Sequence, residues 1–295
     1  MSTSSDHFAA LETAAAQVRI NIHGAQPIRI GSNALYRLPD GVVARISRTG
    51  RAATAAKEVA VAQWLATQGV PAVRPLEGID QPVIVEERAV TFWRELPAHK
   101  SGSLGDVGHL LRILHQLPPP TTISLPRLDP FVGLDEETID RLPRLTPDQR
   151  SWLTEQVAHL QHAYHTDAAL DPCCVIHGDA HTGNVVTTDD GTTLLLDFER
   201  VVVGAPAWDL VSVAVLNDTT GWISAEKYSL FVDSYGEDVT TWPHYGTYRA
   251  IRELRMTCYT AQLGNDRADA FGEATKRIEC LQGKHGQRPW PWTAM

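Results

Sequence analysis

Cysteine is scarce in this 295-residue chain, and what there is of it is not arranged for metal binding or crosslinking. Cys173, Cys174, Cys258 and Cys280 form no Cys-x-x-Cys pair, which removes zinc-ribbon classes and a disulfide framework and leaves reduced thiols as the expectation. Cys173 and Cys174 are expected to pack as small apolar residues. No apolar run approaches membrane-spanning length, so no membrane partner is expected. The N-terminus has no basic stretch followed by an apolar one, so no signal peptide is expected and the cytoplasm is the anticipated location. Basic charge is also short: 26 Lys and Arg face 35 Asp and Glu, a net charge of -9 that argues against a nucleic-acid partner.

What remains is ordinary globular material, 43% hydrophobic and long enough for one large domain or two lobes. Residues 8 to 18 carry Phe8, Leu11, Ala15 and Val18 at helical spacing. Strands are expected at 28–30, 34–38 and 42–46, the last two joined by the turn signal Pro39, Asp40, Gly41. A helix from about Ala52 to Gln68 stops at Gly69 and Pro71, and strands follow at 82–86 and 90–96. After Pro97 the texture turns helical, with a leucine stripe over 104–117 and a proline-rich loop over 118–134. Thr146, Pro147 and Gln149 form a capping-box pattern that starts a helix at Pro147, running to about His165. Further helices are expected at about Trp208 and from Tyr248 to Leu263.

The chemistry is concentrated in His177-Gly178-Asp179-Ala180-His181-Thr182-Gly183-Asn184, followed by Asp197-Phe198-Glu199. Asp179 can accept a proton, while Asn184 and Asp197 can hold a hard cation through oxygen and leave positions for phosphate. That is the equipment of phosphoryl transfer. Between them lies Asp190-Gly191, a pair that favours a two-residue hairpin turn because both central residues need positive φ. If those two form the loop, Asp189 faces Thr192, and Asn184 faces Asp197 with Cβ atoms roughly 4.5–5.5 Å apart. A different turn shifts this register by one residue.

These residues resemble the aminoglycoside phosphotransferase and choline kinase family, which has a protein-kinase-like fold. The family pattern is His-Gly-Asp-x-His-x-x-Asn, an Asp-aromatic-Glu segment, and Gly-x-Pro-x-x-Asp-Leu. The chain supplies all three blocks in order, the last as Gly204-Ala205-Pro206-Ala207-Trp208-Asp209-Leu210. The resemblance implies a two-lobed α+β fold. A small N-terminal lobe over 1–97 would hold an antiparallel sheet and one main helix. A larger, mainly helical C-terminal lobe over 98–295 would carry the catalytic hairpin. It further implies Asp179 as the catalytic base, Asn184 and Asp197 as Mg²⁺ ligands, ATP or GTP as co-substrate, and Asp209 as a brace for the catalytic loop. His177 would pack beneath the metal segment, and His181 is expected as an ordinary hydrogen-bonded loop histidine. In the first lobe, Gly31 to Tyr36 resembles the turn that covers the nucleotide and brings Ser32 and Asn33 to it. Glu58 falls where the helix glutamate belongs, and Glu95 and Leu96 fall where the hinge meets adenine.

One departure stands out. Arg45 occupies the strand position where the family pattern has lysine, and the chain has few lysines to replace it, with Lys57 expected to point elsewhere on its helix. Arginine binds phosphate bidentately, so Arg45 is expected to do this work, although the two cations are not interchangeable. Only Arg200-Val201-Val202-Val203 separates Glu199 from Gly204, which leaves no room for the activation segment of a protein kinase and points to a small-molecule acceptor. Candidate acceptor contacts are Glu199, Trp208, Tyr248 and Glu253. Each has an ordinary competing role in packing or ion pairing, as do Trp222, Tyr245 and the acidic run Asp135-Glu136-Glu137. The leading expectation is a kinase of a small, amine-bearing alcohol, such as an aminoglycoside-like antibiotic, an amino sugar or an amino alcohol. A nucleotide-binding module without turnover is a second reading, resting on Arg45. A metal-dependent hydrolase using His177, Asp179 and His181 is a third.

Overall fold

The computed structural model describes residues 3–31, 33–264 and 267–295. In chain order the regular elements are α1 (Thr3–Val18), β1 (Gln26–Ile30), β2 (Ala34–Leu38), β3 (Val42–Ile46), α2 (Ala52–Thr67), β4 (Val83–Val85), β5 (Arg88–Arg94), β6 (His99–Ser101) and α3 (Leu104–His115). There follow α4 (Glu136–Asp140), α5 (Pro147–Thr166), β7 (Cys174–Ile176), β8 (Val185–Thr188), β9 (Thr193–Leu195) and β10 (Val202–Gly204). The chain ends in α6 (Ala207–Asp218), α7 (Ala225–Tyr235), α8 (Tyr245–Leu263) and α9 (Ala268–Leu281). By Cα proximity they form two units. One takes in the chain up to Asp106 with Pro120–Leu125 and Thr182–Val201; the other takes in Val107–Pro119, Pro126–His181 and the chain from Val202 onward.

The first unit is built on a five-stranded antiparallel sheet in the order β1-β2-β3-β5-β4. Side chains alternate across a strand, and β2 and β3 read buried and less buried in turn. Ala34, Tyr36, Leu38, Val42, Ala44 and Ile46 face one way and bury against Leu11, Ala14 and Ala15 of α1. Leu35, Arg37, Val43 and Arg45 are thereby turned to the other face. Asp40 and Gly41 take φ of 61° and 68° in the turn between these strands, as Pro39-Asp40-Gly41 had signalled. A three-stranded sheet, β6-β8-β9, belongs to the same unit. The sequence boundary at 97/98 follows the chain, whereas grouping by proximity carries 182–201 with the first unit. The reason is backbone pairing: β8 lies against β6, and Leu195 exchanges hydrogen bonds with Pro71 and Val73 at 3.1 and 3.0 Å.

The second unit is mainly helical. In α6 every residue from Ala207 to Val215 is buried, the mark of a helix surrounded on all sides. Its neighbours include α7 and α8, and α8 in turn packs on α5 and α9. Thr146 and Gln149 close a reciprocal capping box at the start of α5, and Asp135 caps α4 by accepting from the Thr138 N–H at 2.9 Å. Helices α7 and α9 lie where no helix had been placed in sequence. Gly108 of α3 sits where a Cβ would meet the Phe231 carbonyl oxygen of α7 at 2.5 Å. Gly108→Ala is therefore expected to cost about 1–3 kcal/mol of unfolding free energy through overpacking, read by urea denaturation; a neutral change would show that α7 yields freely.

Candidate active site

The loop of the β8–β9 hairpin has three residues rather than two. Gly191, at φ 85°, donates its N–H to the Thr188 carbonyl at 2.9 Å, and Thr188 and Thr192 close the ladder. This is a turn followed by a left-handed glycine, the next commonest hairpin solution. Asp190 stabilises it by accepting from the Thr192 N–H at 3.0 Å and the Thr188 hydroxyl at 2.6 Å. The pairing Val185↔Leu195 fixes the register, and the Leu196 N–H donates to the Asn184 carbonyl at 2.9 Å. Asn184 therefore faces Leu196, not Asp197 as the two-residue loop had predicted. Asp197 lies one step beyond, with φ of 58°. Asparagine and aspartate tolerate this left-handed backbone better than bulky residues do. Despite the shifted register, Asn184 and Asp197 both line one cavity of about 570 Å³ within the first unit.

The walls of that cavity follow from strand alternation. Leu35, Val43 and Trp93 form an apolar middle, with Val73 and Leu196 also lining it. Arg45, Glu58 and Glu199 contribute charge, and Asn33, Glu95 and Leu96 line it as well. Arg45 donates from Nη1 to Glu58 Oε1 at 2.6 Å, joining β3 to α2. Burial pushes the Glu58 carboxyl up from its ordinary range, against the pull of the Arg45 charge. Glu199 accepts a short hydrogen bond from Arg51, and the Arg45 Nη2 lies 3.8 Å from its other oxygen. Lys57 is engaged elsewhere, donating to the Val201 carbonyl at 3.2 Å. At the outer end of the cavity Arg37 pairs with Glu95, and the Glu95 N–H donates to the Gly41 carbonyl at 2.7 Å. Ser32 lies outside the described residues.

Asp179 belongs to the second unit, in the loop leaving β7. Its neighbours are held by Asp209, a carboxylate buried in α6. Asp209 accepts from the backbone N–H of His177 at 2.7 Å and of Gly178 at 2.8 Å. His115 Nε2 lies 3.1 Å from the Asp209 oxygen that His177 uses, and its Nδ1 is 3.1 Å from the Tyr235 hydroxyl. Burial disfavours the charged form of Asp209. The hydrogen bond and charge of His115, with the contribution of His177, outweigh it and hold the carboxyl below its usual range. The loop before Asp179 is thus pinned by backbone donors aimed at a fixed anion.

The family described as APH, phosphotransferase enzyme family, matches residues 25–254. The chain belongs to this family. Membership makes it a small-molecule kinase that transfers phosphate to a hydroxyl. A search of curated proteins finds no match. Among solved structures, a choline/ethanolamine kinase family protein from Mesorhizobium loti superposes with a TM-score of 0.64 at 19% identity, covering 92% of this chain and 95% of that one. The aminoglycoside phosphotransferase APH(3'')-Id from Streptomyces rimosus, in complex with ADP and streptomycin, gives 0.60 at 21% identity over 84% and 98%. The GDP and kanamycin complex of APH(2'')-IIia gives 0.64 at 18% identity over 94% and 99%. At such identities the likeness carries the protein-kinase-like fold.

Within this phosphotransferase, three of the four candidate acceptor contacts need correction. Trp208, on α6, is buried with Arg255 over its ring at 5.8 Å. Tyr248 is fully buried and donates to the Ala168 carbonyl at 3.0 Å and to Asp171 at 3.1 Å. Glu253 is fully buried too, held by Arg288 through two 2.7 Å hydrogen bonds and by the Thr219 hydroxyl at 2.7 Å. All three belong to the interior of the second unit and present no surface to an acceptor. Glu199 lies on the cavity of the first unit and is tied to Arg51. Among the described residues, no three His, Cys, Asp or Glu side chains gather where they could hold a metal ion. The hydrolase reading built on His177, Asp179 and His181 therefore lacks its ligand cluster. Among the same residues, no helix is long and apolar enough to cross a membrane. Sequence reasoning missed Arg51, whose partner Glu199 is 148 residues away along the chain and leaves no local signature.

Proposed function

We propose that this phosphotransferase moves the γ-phosphate of ATP or GTP to a hydroxyl of a small, amine-bearing acceptor. Asp179 would take the acceptor proton. The observation that carries the donor half is a single cavity lined by Asn184, Asp197 and Arg45 around an apolar middle of Leu35, Val43 and Trp93. The base would rest on the apolar middle, near the backbone of Glu95 and Leu96, with Asn33 beneath the turn that covers the phosphates. Mg²⁺ would be held by Asn184 and Asp197, an oxygen donor pair that suits a cation which keeps places for phosphate oxygens. When bound, the metal neutralises charge on the phosphates during transfer. Arg45, held by Glu58 at 2.6 Å, presents a fixed cation to the donor phosphates in place of lysine.

An amine-bearing acceptor is supported by two lines. The related structures carry streptomycin and kanamycin, or belong to the choline/ethanolamine kinase family, and these ligand classes bear cationic nitrogen. The chain itself has a net charge of -9. Aminoglycoside-type antibiotics would make the enzyme a resistance determinant; amino sugars and amino alcohols would give it a metabolic role. A nucleoside triphosphate donor fits a cytoplasmic reaction. The deciding experiment is an acceptor panel containing both classes, with ATP and GTP run separately and nucleoside diphosphate release as readout. Release with an amine-bearing alcohol, above the level of Asp179→Asn, is expected. No release with any such acceptor and either donor would overturn the proposal.

The nucleotide-binding module without turnover draws on Arg45 alone. If Arg45 serves the donor phosphates, Arg45→Ala is expected to raise the nucleotide KM by about tenfold or more, the loss of a charge-assisted contact. An unchanged KM would remove Arg45 from the site.

A further inference from the structure

Asp197 is the one proposed metal ligand with a left-handed backbone, at φ 58°, a conformation that persists only where the surroundings hold it. The segment that follows is gripped by cations at the start of α2 and within it. Arg51, the residue preceding α2, donates to the Glu199 carboxylate. Lys57, within α2, donates to the Val201 carbonyl at 3.2 Å, and burial pulls its ammonium pKa down. Arg45 completes the link, with Nη1 on Glu58 at 2.6 Å and Nη2 3.8 Å from Glu199. Residues 199 and 201 are thus both fastened to α2, while Asn184 is fastened through the ladder.

We propose that Arg51 and Lys57 are positioning residues for the metal ligand Asp197, Arg51 acting through Glu199 and Lys57 through the Val201 carbonyl. The inference rests on the reading of Asp197 as a Mg²⁺ ligand. It also gives a structural sense to arginine on β3, since the two terminal nitrogens of its fork point to different carboxylates. Partners of a metal ligand tune affinity without touching the metal, and their loss costs roughly 10–100-fold.

The test is a Mg²⁺ titration of nucleotide binding, using fluorescent mant-ATP or mant-GTP as the donor assay selects, on the full-length protein. Arg51→Ala and Glu199→Gln are each expected to raise the Mg²⁺ half-saturation about tenfold, and the double variant no further, because coupled residues are non-additive. Metal-free nucleotide affinity of Arg51→Ala, whose side chain is not among those lining the cavity, should stay within about twofold. Lys57→Met, independent of that pair, should also raise the Mg²⁺ requirement. A multiplicative double variant, or metal-free affinity falling in parallel, would assign Arg51 a separate role and overturn the proposal. So would unchanged half-saturation in Arg51→Ala and Lys57→Met while Asp197→Ala abolishes the Mg²⁺ response. If Asp197→Ala itself leaves that response intact, the metal-ligand reading fails first.

Discussion

Asp179→Asn is expected to lower kcat by about 10²–10⁴-fold, the usual contribution of a general base, while Mg²⁺-nucleotide affinity stays within about twofold. Asparagine has the shape of aspartate and can keep most of its hydrogen bonds, but it cannot take a proton. The fold around it should not move, because the preceding backbone is pinned by Asp209 through the N–H groups of His177 and Gly178. Arg45, Asn184 and Asp197, which line the cavity of the first unit, are unchanged by the substitution. Single-turnover product formation gives the chemical step, and nucleotide titration gives the binding. Loss of both in proportion would mean that Asp179 supports the nucleotide; lost binding with intact kcat would remove it from the chemistry. An interaction made only in the transition state lowers kcat and kcat/KM together, and that paired fall is the signature sought.

Local geometry was legible in sequence wherever it depended on neighbours along the chain. Asn184 and Asp197 could be brought together from the turn residues between them, because hairpin pairing is local. The register slipped by one because Asp190-Gly191 also suits a three-residue loop, and the choice is made by the Thr188 and Thr192 bonds to Asp190. The strand carrying Arg45 was legible at 42–46, and the Thr146 capping box gave the start of α5. What could not be read was settled by distant packing. Helices α7 and α9 have buried partners outside themselves; Tyr235 of α7, for example, meets His115 Nδ1 at 3.1 Å from 120 residues away. The same holds for Tyr248 and Glu253. An aromatic or acidic residue on a helix looks alike in sequence whether it faces a ligand or a buried arginine, and Arg288 decides the matter for Glu253. The partners of Arg51 and Lys57 were invisible for the same reason, since Glu199 and Val201 lie beyond the hairpin.

Asp209→Ala should produce the largest loss of stability, about 3–5 kcal/mol, the range for breaking a buried charged network by removing one partner. The backbone N–H groups of His177 and Gly178 would lose their acceptor, and each buried donor left unsatisfied costs about 1–3 kcal/mol. His115 would lose its 3.1 Å partner as well. The pH dependence gives a sharper check. The Asp209 carboxyl is held below its ordinary value of 3.8, with burial opposing and the His115 and backbone hydrogen bonds prevailing. A carboxyl whose pKa is lower folded than unfolded contributes stability above the unfolded value, and that contribution disappears as pH falls through the folded one. The gap between wild type and Asp209→Ala should therefore be widest at neutral pH and narrow only below 3.8. Urea unfolding at a series of pH values reads this directly. A gap under about 1 kcal/mol, the value of a single neutral hydrogen bond, or one that stays constant into acid, would mean that the anion at position 209 does not brace the loop. If the brace is real, the loss should reach kcat too, because the backbone that orients Asp179 is the backbone Asp209 holds.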